Sequence, residues 1–317
     1  MPPLVFQPGA SQLEIFSMSK TAKWVIGLSV AFLVIFGFLS LTILSIIFSE
    51  PEDETVSSGS EKVALVELNE PIVSSQDIVR QIKKYRESKS IKAIIFRVET
   101  PGGGVAASQE IYEEVKKTRD SGKPIVVSMG AVAASGGYYV SCAATRIVAN
   151  PGTLTGSIGV IFQFLHFSEL MKKLGIDEST FKSGKLKDSG SPFRKVTPED
   201  AKYFQGLIVD VYDQFVETVA KERKMSVAYV KKYADGRVFT GRQAKQLGFV
   251  DTLGTLEDAI SIAANLAGIH GKPRVIKEYQ RRSLFDRLFG ETMTDVARLR
   301  NEILHQPIIQ YRFTTPY

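Results

Sequence analysis

The chain has 317 residues, of which 44% are hydrophobic, 23% charged and 10% aromatic, and its mean hydropathy is -0.00. That balance excludes wholesale disorder and a polytopic membrane protein. A single cysteine, Cys142, excludes an intramolecular disulfide scaffold and any cysteine-rich metal cluster, and His166, His270 and His305 stand in unrelated contexts, so neither a metal nor another cofactor is expected. The net charge of +6 comes from 40 basic and 34 acidic residues without a Lys/Arg block, so no nucleic-acid partner is expected either.

In chain order, the first feature is residues 24–49, a stretch with no charged residue. At ~1.5 Å per residue it is long enough to cross a hydrocarbon core of ~30 Å as a tilted helix. It exceeds the ~7–15 apolar residues of a signal-peptide core, and no small-x-small site follows, so the expectation is an uncleaved single-pass anchor in the lipid bilayer. Lys20 and Lys23 precede it, and Glu50, Glu52, Asp53 and Glu54 follow. The positive-inside rule then places residues 1–23 in the cytoplasm and the remainder outside the inner (cytoplasmic) membrane. Residues 50–61, acidic and Ser/Gly-containing, read as a linker, with a folded domain over 62–282.

Within that domain, apolar and β-branched strands are predicted at 63–68, 93–98, 125–129 and 146–149. Helices are predicted at 75–87, capped by Ser74 or Ser75, at 109–119 and, rich in small residues, at 133–144. This alternation implies an α/β fold, a parallel sheet covered by helices. Thr197-Pro198-Glu199-Asp200 opens a long helix to residue 223 with a cap, a proline at the first helical position and acidic residues in the first turn. Further helices are predicted near 242–247, 256–267 and 283–304. Residues 306–317 read as an extended tail, apolar and terminal like a cleaved peptide. Such a tail could dock in a peptide groove of its own or a neighbouring protomer, or pack on the core as a surface strand.

Three loops carry chemical signals. Pro101-Gly102-Gly103-Gly104 follows a strand, and its glycines either bring backbone N–H groups close to a ligand or form a plain turn. It is neither a dinucleotide fingerprint nor a P-loop. Ala134-Ser135-Gly136-Gly137 sits at a strand-to-helix junction. Ser135 is either an ordinary helix cap or a nucleophile on a sharp elbow, with the Gly136 N–H facing a developing oxyanion. The third loop, Lys182-Ser183-Gly184-Lys185-Leu186-Lys187-Asp188, is either three solvated lysines or the source of a base. The histidines are poorly placed to activate a serine, and a lysine can do so as its neutral amine.

Taken together, Pro-Gly-Gly, Ala-Ser-Gly-Gly, Gly156-Ser157-Ile158-Gly159 and the lysine-Asp loop resemble the signal peptide peptidase A family, membrane-anchored serine proteases of the Clp/crotonase superfold. The likeness covers most of the region after residue 62, and the single anchor and chain length resemble the family's short form. The resemblance implies Ser135 as nucleophile, Lys187 as general base, Ser157 as the group orienting the lysine, and Gly136 with Gly102 or Gly103 as oxyanion donors. It also implies signal peptides and other apolar peptides as substrates, and a homo-oligomer in which the serine and lysine of one site come from neighbouring subunits. Two alternatives remain open at this point: a membrane-tethered scaffold that kept the fold without the chemistry, and an acyl-CoA enzyme of the same superfold.

Overall fold

The computed structural model describes residues 20–48, 54–55, 61–278 and 310–313. The chain divides into two compact units, Met1–Pro51 and Glu52–Tyr317. The first contains helix α1 (Lys20–Phe48), and from Trp24 to Thr42 none of its length is buried. It is long and apolar enough to cross a membrane. Its Thr42 hydroxyl donates to the carbonyls of Phe38 at 3.0 Å and Leu39 at 2.8 Å, so this polar group is satisfied within the helix and needs no water.

The second unit runs β1 (Glu54–Thr55), β2 (Lys62–Leu68), α2 (Gln76–Glu87), β3 (Ile91–Thr100), β4 (Gly102–Gly104), α3 (Val105–Asp120), β5 (Ile125–Ala134), α4 (Gly136–Ser141), β6 (Arg146–Ala149) and β7 (Leu154–Gly156). It continues with α5 (Ser168–Lys173), α6 (Pro198–Arg223), α7 (Val227–Lys231), β8 (Val238–Thr240), α8 (Gly241–Gln246), β9 (Thr252–Leu253), α9 (Leu256–Leu266), β10 (Arg274–Lys277) and β11 (Gln310–Arg312). The main sheet has the order β1-β10-β2-β3-β5-β6-β9, and from β10 to β9 every neighbouring pair is parallel. Fold class is as the sequence implies: mixed α/β with a mostly parallel sheet of the Clp-protease type.

Period-two alternation explains why both faces of this sheet are covered. Ala64, Val66, Ile94, Phe96, Ile125 and Val127 join the larger core with residues of α2, α3, α4 and α6. Their neighbours Val63, Leu65, Ala93, Ile95 and Val126 point the other way and pack on α9. Of the eleven central strand residues named here, all but Leu65 are fully buried.

Several boundaries depart from the sequence reading. The linker 50–61 contains β1, which pairs antiparallel with β10. Helix α3 starts at Val105 rather than 109, directly after β4. The segment 133–144 divides: Ala133 and Ala134 prolong β5, held by β7 through the Ala133↔Thr155 and Ala134↔Gly156 pairs, and the helix begins only at Gly136. Small residues such as alanine fit either state, so here long-range pairing decides. The Ser75 hydroxyl makes no cap bond and instead donates to the Glu110 carboxylate on α3. The predicted helix 283–304 lies outside the described residues.

Candidate active site

Ser135 is the one residue between β5 and α4. Its backbone has φ 54° and ψ −115°, a conformation costing about 1–3 kcal/mol for a residue with a side chain. Two backbone bonds hold it there: the Ser135 N–H donates to the Gly156 carbonyl at 2.8 Å, and the Ser135 carbonyl accepts from the Tyr139 N–H at 2.8 Å. The side chain is buried, 1% exposed, and its Oγ has no hydrogen-bond partner among the described residues. A buried, unpaired hydroxyl costs a further ~1–3 kcal/mol. Strain and an unsatisfied polar group on the same residue are characteristic of a site shaped for chemistry rather than stability.

The glycine loop closes on this elbow. A Cβ on Gly136 would stand 3.2 Å from the Gly102 Cα and 3.2 Å from the Gly103 N, so the start of α4 packs directly on β4. Gly102 has φ +100°, and a Cβ there would meet the Gly136 N at 2.6 Å. The Ile72 N–H donates to the Gly102 carbonyl at 2.9 Å, and the Gly104 N–H to the Ile72 carbonyl at 2.7 Å. Strand alternation therefore turns the N–H and carbonyl of Gly103 to the opposite edge. The Gly102 N–H is engaged by Thr100 Oγ1 at 3.2 Å. Of the two candidates, Gly103 is thus the one presenting its donor along the edge of β4 away from Ile72, the edge on which β11 lies.

Ser157 follows β7 immediately, in a left-handed conformation (φ 51°), with its N–H donated to the Arg237 carbonyl at 2.9 Å. It is buried and one residue beyond Gly156, the residue that fixes Ser135. The structure thus brings Ser135, Gly136, Gly102 and Gly103 together and sets Ser157 on the adjoining strand end. It does not bring in Lys187. That residue lies between α5 and α6 on a solvent-exposed loop, and the Ser135 Oγ has no partner there.

The C-terminal segment occupies this edge of β4. Strand β11 pairs antiparallel with it in the register Gln310↔Gly104, Tyr311↔Gly103, Arg312↔Gly102, and the Phe313 N–H donates to the Pro101 carbonyl at 2.8 Å. On its other side Gln310 exchanges backbone bonds with Ile161, at 3.1 and 3.3 Å. The slot it fills therefore lies between the glycine strand and the segment that begins at Ser157. Tyr311 is fully buried, its ring centroid 4.5 Å from that of Phe215 and 5.1 Å from that of Tyr139, and its hydroxyl donates to the Val211 carbonyl at 3.3 Å. Burial pushes the Tyr311 phenol far above its ordinary pKa. Of the extended tail expected over 306–317, Gln310–Arg312 form a strand and all but residues 310–313 lie outside the described residues, whereas Ile72 and Ile161, which frame the slot, carry no sequence signal.

An elbow serine at the end of a parallel strand, beside a glycine strand paired with an extended segment, makes this the candidate active site. Residues 60–152 match the family model described as Clp protease, and residues 117–270 match Peptidase family S49. A relative from Synechocystis sp. carrying a provisional protease name is 44% identical over 214 residues, which is 67% of this chain and 77% of that protein. An Enterococcus faecium protein provisionally named signal peptide peptidase SppA is 44% identical over 185 residues, 58% of this chain and 54% of that protein. Serine protease SPPA, chloroplastic, from Arabidopsis thaliana is 38% identical over 198 residues, 62% of this chain and 29% of that longer protein. The chain belongs to peptidase family S49.

Proposed function

We propose that this S49 peptidase is a membrane-anchored serine endopeptidase that hydrolyses cleaved signal peptides and other apolar peptides, with Ser135 as nucleophile and Lys187 as general base. The observation that carries the reading is the Ser135 hydroxyl, buried and unpartnered on a strained elbow against Gly102, Gly103 and Gly136. In the first step the neutral Lys187 amine takes the Ser135 proton as Oγ attacks the peptide carbonyl. The N–H groups of Gly136 and Gly103 receive the tetrahedral oxyanion, each such donor being worth ~3–4 kcal/mol. Lys187 then protonates the leaving amine, and water cleaves the acyl-enzyme along the same path. Ser157 orients the amine by hydrogen bond.

Ser135 is buried and Lys187 is exposed on the same chain. This supports a site completed between copies, in which the lysine loop of one subunit reaches the elbow of its neighbour. Wild-type protein in detergent should be labelled by a fluorophosphonate at Ser135. Failure both to label and to cleave any apolar peptide would leave a tethered scaffold of the same fold.

Residues 24–49 anchor the chain in the inner membrane, with the N-terminus cytoplasmic and the peptidase unit outside. The charge-free run and the helix it forms support this. External protease should digest the peptidase unit in spheroplasts; resistance without permeabilisation would contradict the orientation.

Substrate enters as an extended strand between β4 and the 157–161 segment, the mode in which main-chain bonds provide affinity and pockets provide selectivity. The tail strand β11 holds that slot in the chain itself. A tethered competitor acts at an effective concentration on the order of mM. Deleting residues 306–317 should therefore lower KM for an apolar reporter peptide several-fold. Unchanged KM and kcat would show that β11 is only a packed surface strand.

A further inference from the structure

The loop that carries Lys187 has neither strand nor helix, yet one guanidinium ties two of its carboxylate anchors together. Arg194 Nε donates to Asp188 Oδ2 and Nη2 to Asp188 Oδ1, both at 3.0 Å. The same group reaches Asp200 at the start of α6, Nη1 to Oδ2 at 2.5 Å and Nη2 to Oδ1 at 3.1 Å. Asp200 is 2% exposed and is anchored from three further directions. Ser189 Oγ donates to it at 2.5 Å, the Thr197 N–H at 2.9 Å and Thr197 Oγ1 at 2.8 Å. Asp200 is thus both the capping-box residue of α6 and the fixed post to which Arg194 ties the residue after Lys187.

We infer that Arg194 is the positioning residue for Lys187: forked between Asp188 and buried Asp200, it fixes the loop in one geometry and engages the carboxylate next to the base. This rests on Lys187 being the base. A planar fork can bridge two carboxylates at once, whereas a lysine in its place offers one point charge. The Arg194 and Lys182 hydrogen bonds hold the Asp188 carboxyl down at about 2, so it is ionised throughout the working range. Hydrogen bonds from Arg194, Ser189 and Thr197 push Asp200 lower still. An ionised carboxylate released from its partners beside Lys187 would favour the protonated amine and oppose its action as a base.

The charged groups around the loop are Asp177, Glu178, Lys182, Lys185, Asp188, Arg194 and Lys195 on the loop itself, Glu199, Asp200 and Lys202 from the start of α6, and Glu169, Lys172 and Lys173 from α5. Of these, Lys182 joins Arg194 on Asp188 at 2.7 Å, and Lys195 engages Glu169 at 2.9 Å.

The test compares full-length Arg194→Lys, Asp188→Asn and Lys187→Ala across pH in detergent with an apolar reporter peptide, with the unfolding midpoint measured for each. Arg194→Lys should lower kcat by about tenfold or more with KM within about twofold, as expected when a reacting group is misplaced rather than substrate binding lost. The apparent pKa of its kcat profile should move up, because Asp188 loses both guanidinium hydrogen bonds and keeps only that of Lys182. Asp188→Asn removes the carboxylate charge while leaving Arg194 and Lys182, so the apparent pKa should move down. A purely structural role would not give shifts of opposite sign. Wild-type kcat and profile in Arg194→Lys, or shifts of the same sign in both variants, would overturn the inference. If Arg194→Lys fails to fold, the sign of the Asp188→Asn shift decides alone. Loss of turnover in Lys187→Ala beside an unaltered Arg194→Lys removes only the positioning role, whereas full turnover in Lys187→Ala removes the base assignment and the positioning role with it.

Discussion

Ser135→Ala should lower peptide turnover by about 10⁴-fold or more while leaving the protein more stable than wild type. The first effect follows from loss of the only hydroxyl on the elbow between β5 and α4. The second follows from the state of that hydroxyl in the folded chain, buried with no partner among the described residues. Removing it relieves about 1 kcal/mol or more of desolvation cost, which for a domain of this size raises the unfolding midpoint by roughly 2–4 °C. The backbone strain at φ 54° persists in the alanine variant, so Ser135→Gly should be more stable again. Turnover of a fluorogenic apolar peptide and calorimetry on the same samples check both halves. A Ser135→Ala protein that is destabilised and active would mean that the elbow is structural.

The Lys187→Ala variant should lose about 10²–10⁴-fold in turnover, the usual contribution of a positioned general base. Its stability should stay within about 0.5 kcal/mol of wild type, because the side chain is exposed. Neighbouring lysines provide the control. Lys182 bonds to Asp188 and to the Lys185 carbonyl, at 2.7 and 3.2 Å, so Lys182→Ala should lose part of the activity through the loop, whereas Lys185→Ala should lose little. Wild-type turnover should rise as pH increases through the ionisation of the base, and Lys187→Ala should flatten that rise. Equal losses for all three lysines, or a wild-type profile falling from neutrality toward alkaline pH, would contradict the assignment.

Much of this architecture is legible in the residues because the central strands are continuous apolar, β-branched runs. Runs such as Ile94-Ile95-Phe96 and Ile125-Val126-Val127 have one reasonable place, inside a sheet covered on both faces. The long helix α6 announces itself through Thr197, Pro198 and Asp200, and the structure forms that capping box. Elements fixed by distant partners are less legible. Ala133 and Ala134 suit helix or strand equally, and only their pairing with Thr155 and Gly156 makes them strand. The same pairing places the Gly156 carbonyl to accept from Ser135 and so creates the elbow.

The site divides along the same line. Ser135, Gly136 and the glycines of β4 can be picked out because small residues cluster around a serine after a strand. The distinction between Gly102 and Gly103 depends on which edge faces Ile72, and no local pattern encodes that. Arg194 was invisible for a related reason: its two carboxylates, Asp188 and Asp200, lie six residues away on either side, with a proline and a threonine between Arg194 and Asp200. The extended tail is readable, yet its place on the glycine strand emerges only from the fold.

Mixing two inactive proteins tests the central claim most directly. Co-expressed Ser135→Ala and Lys187→Ala chains each lack one half of the dyad. If the serine of one subunit meets the lysine of its neighbour, random assembly should recover up to about a quarter of wild-type turnover, since one neighbouring pair in four combines both intact residues. Turnover restored on co-expression, and absent when each variant is made alone, is the result this account predicts. Two variants that stay inactive together, in an assembly shown to contain both chains, would contradict a Ser135–Lys187 site built between copies.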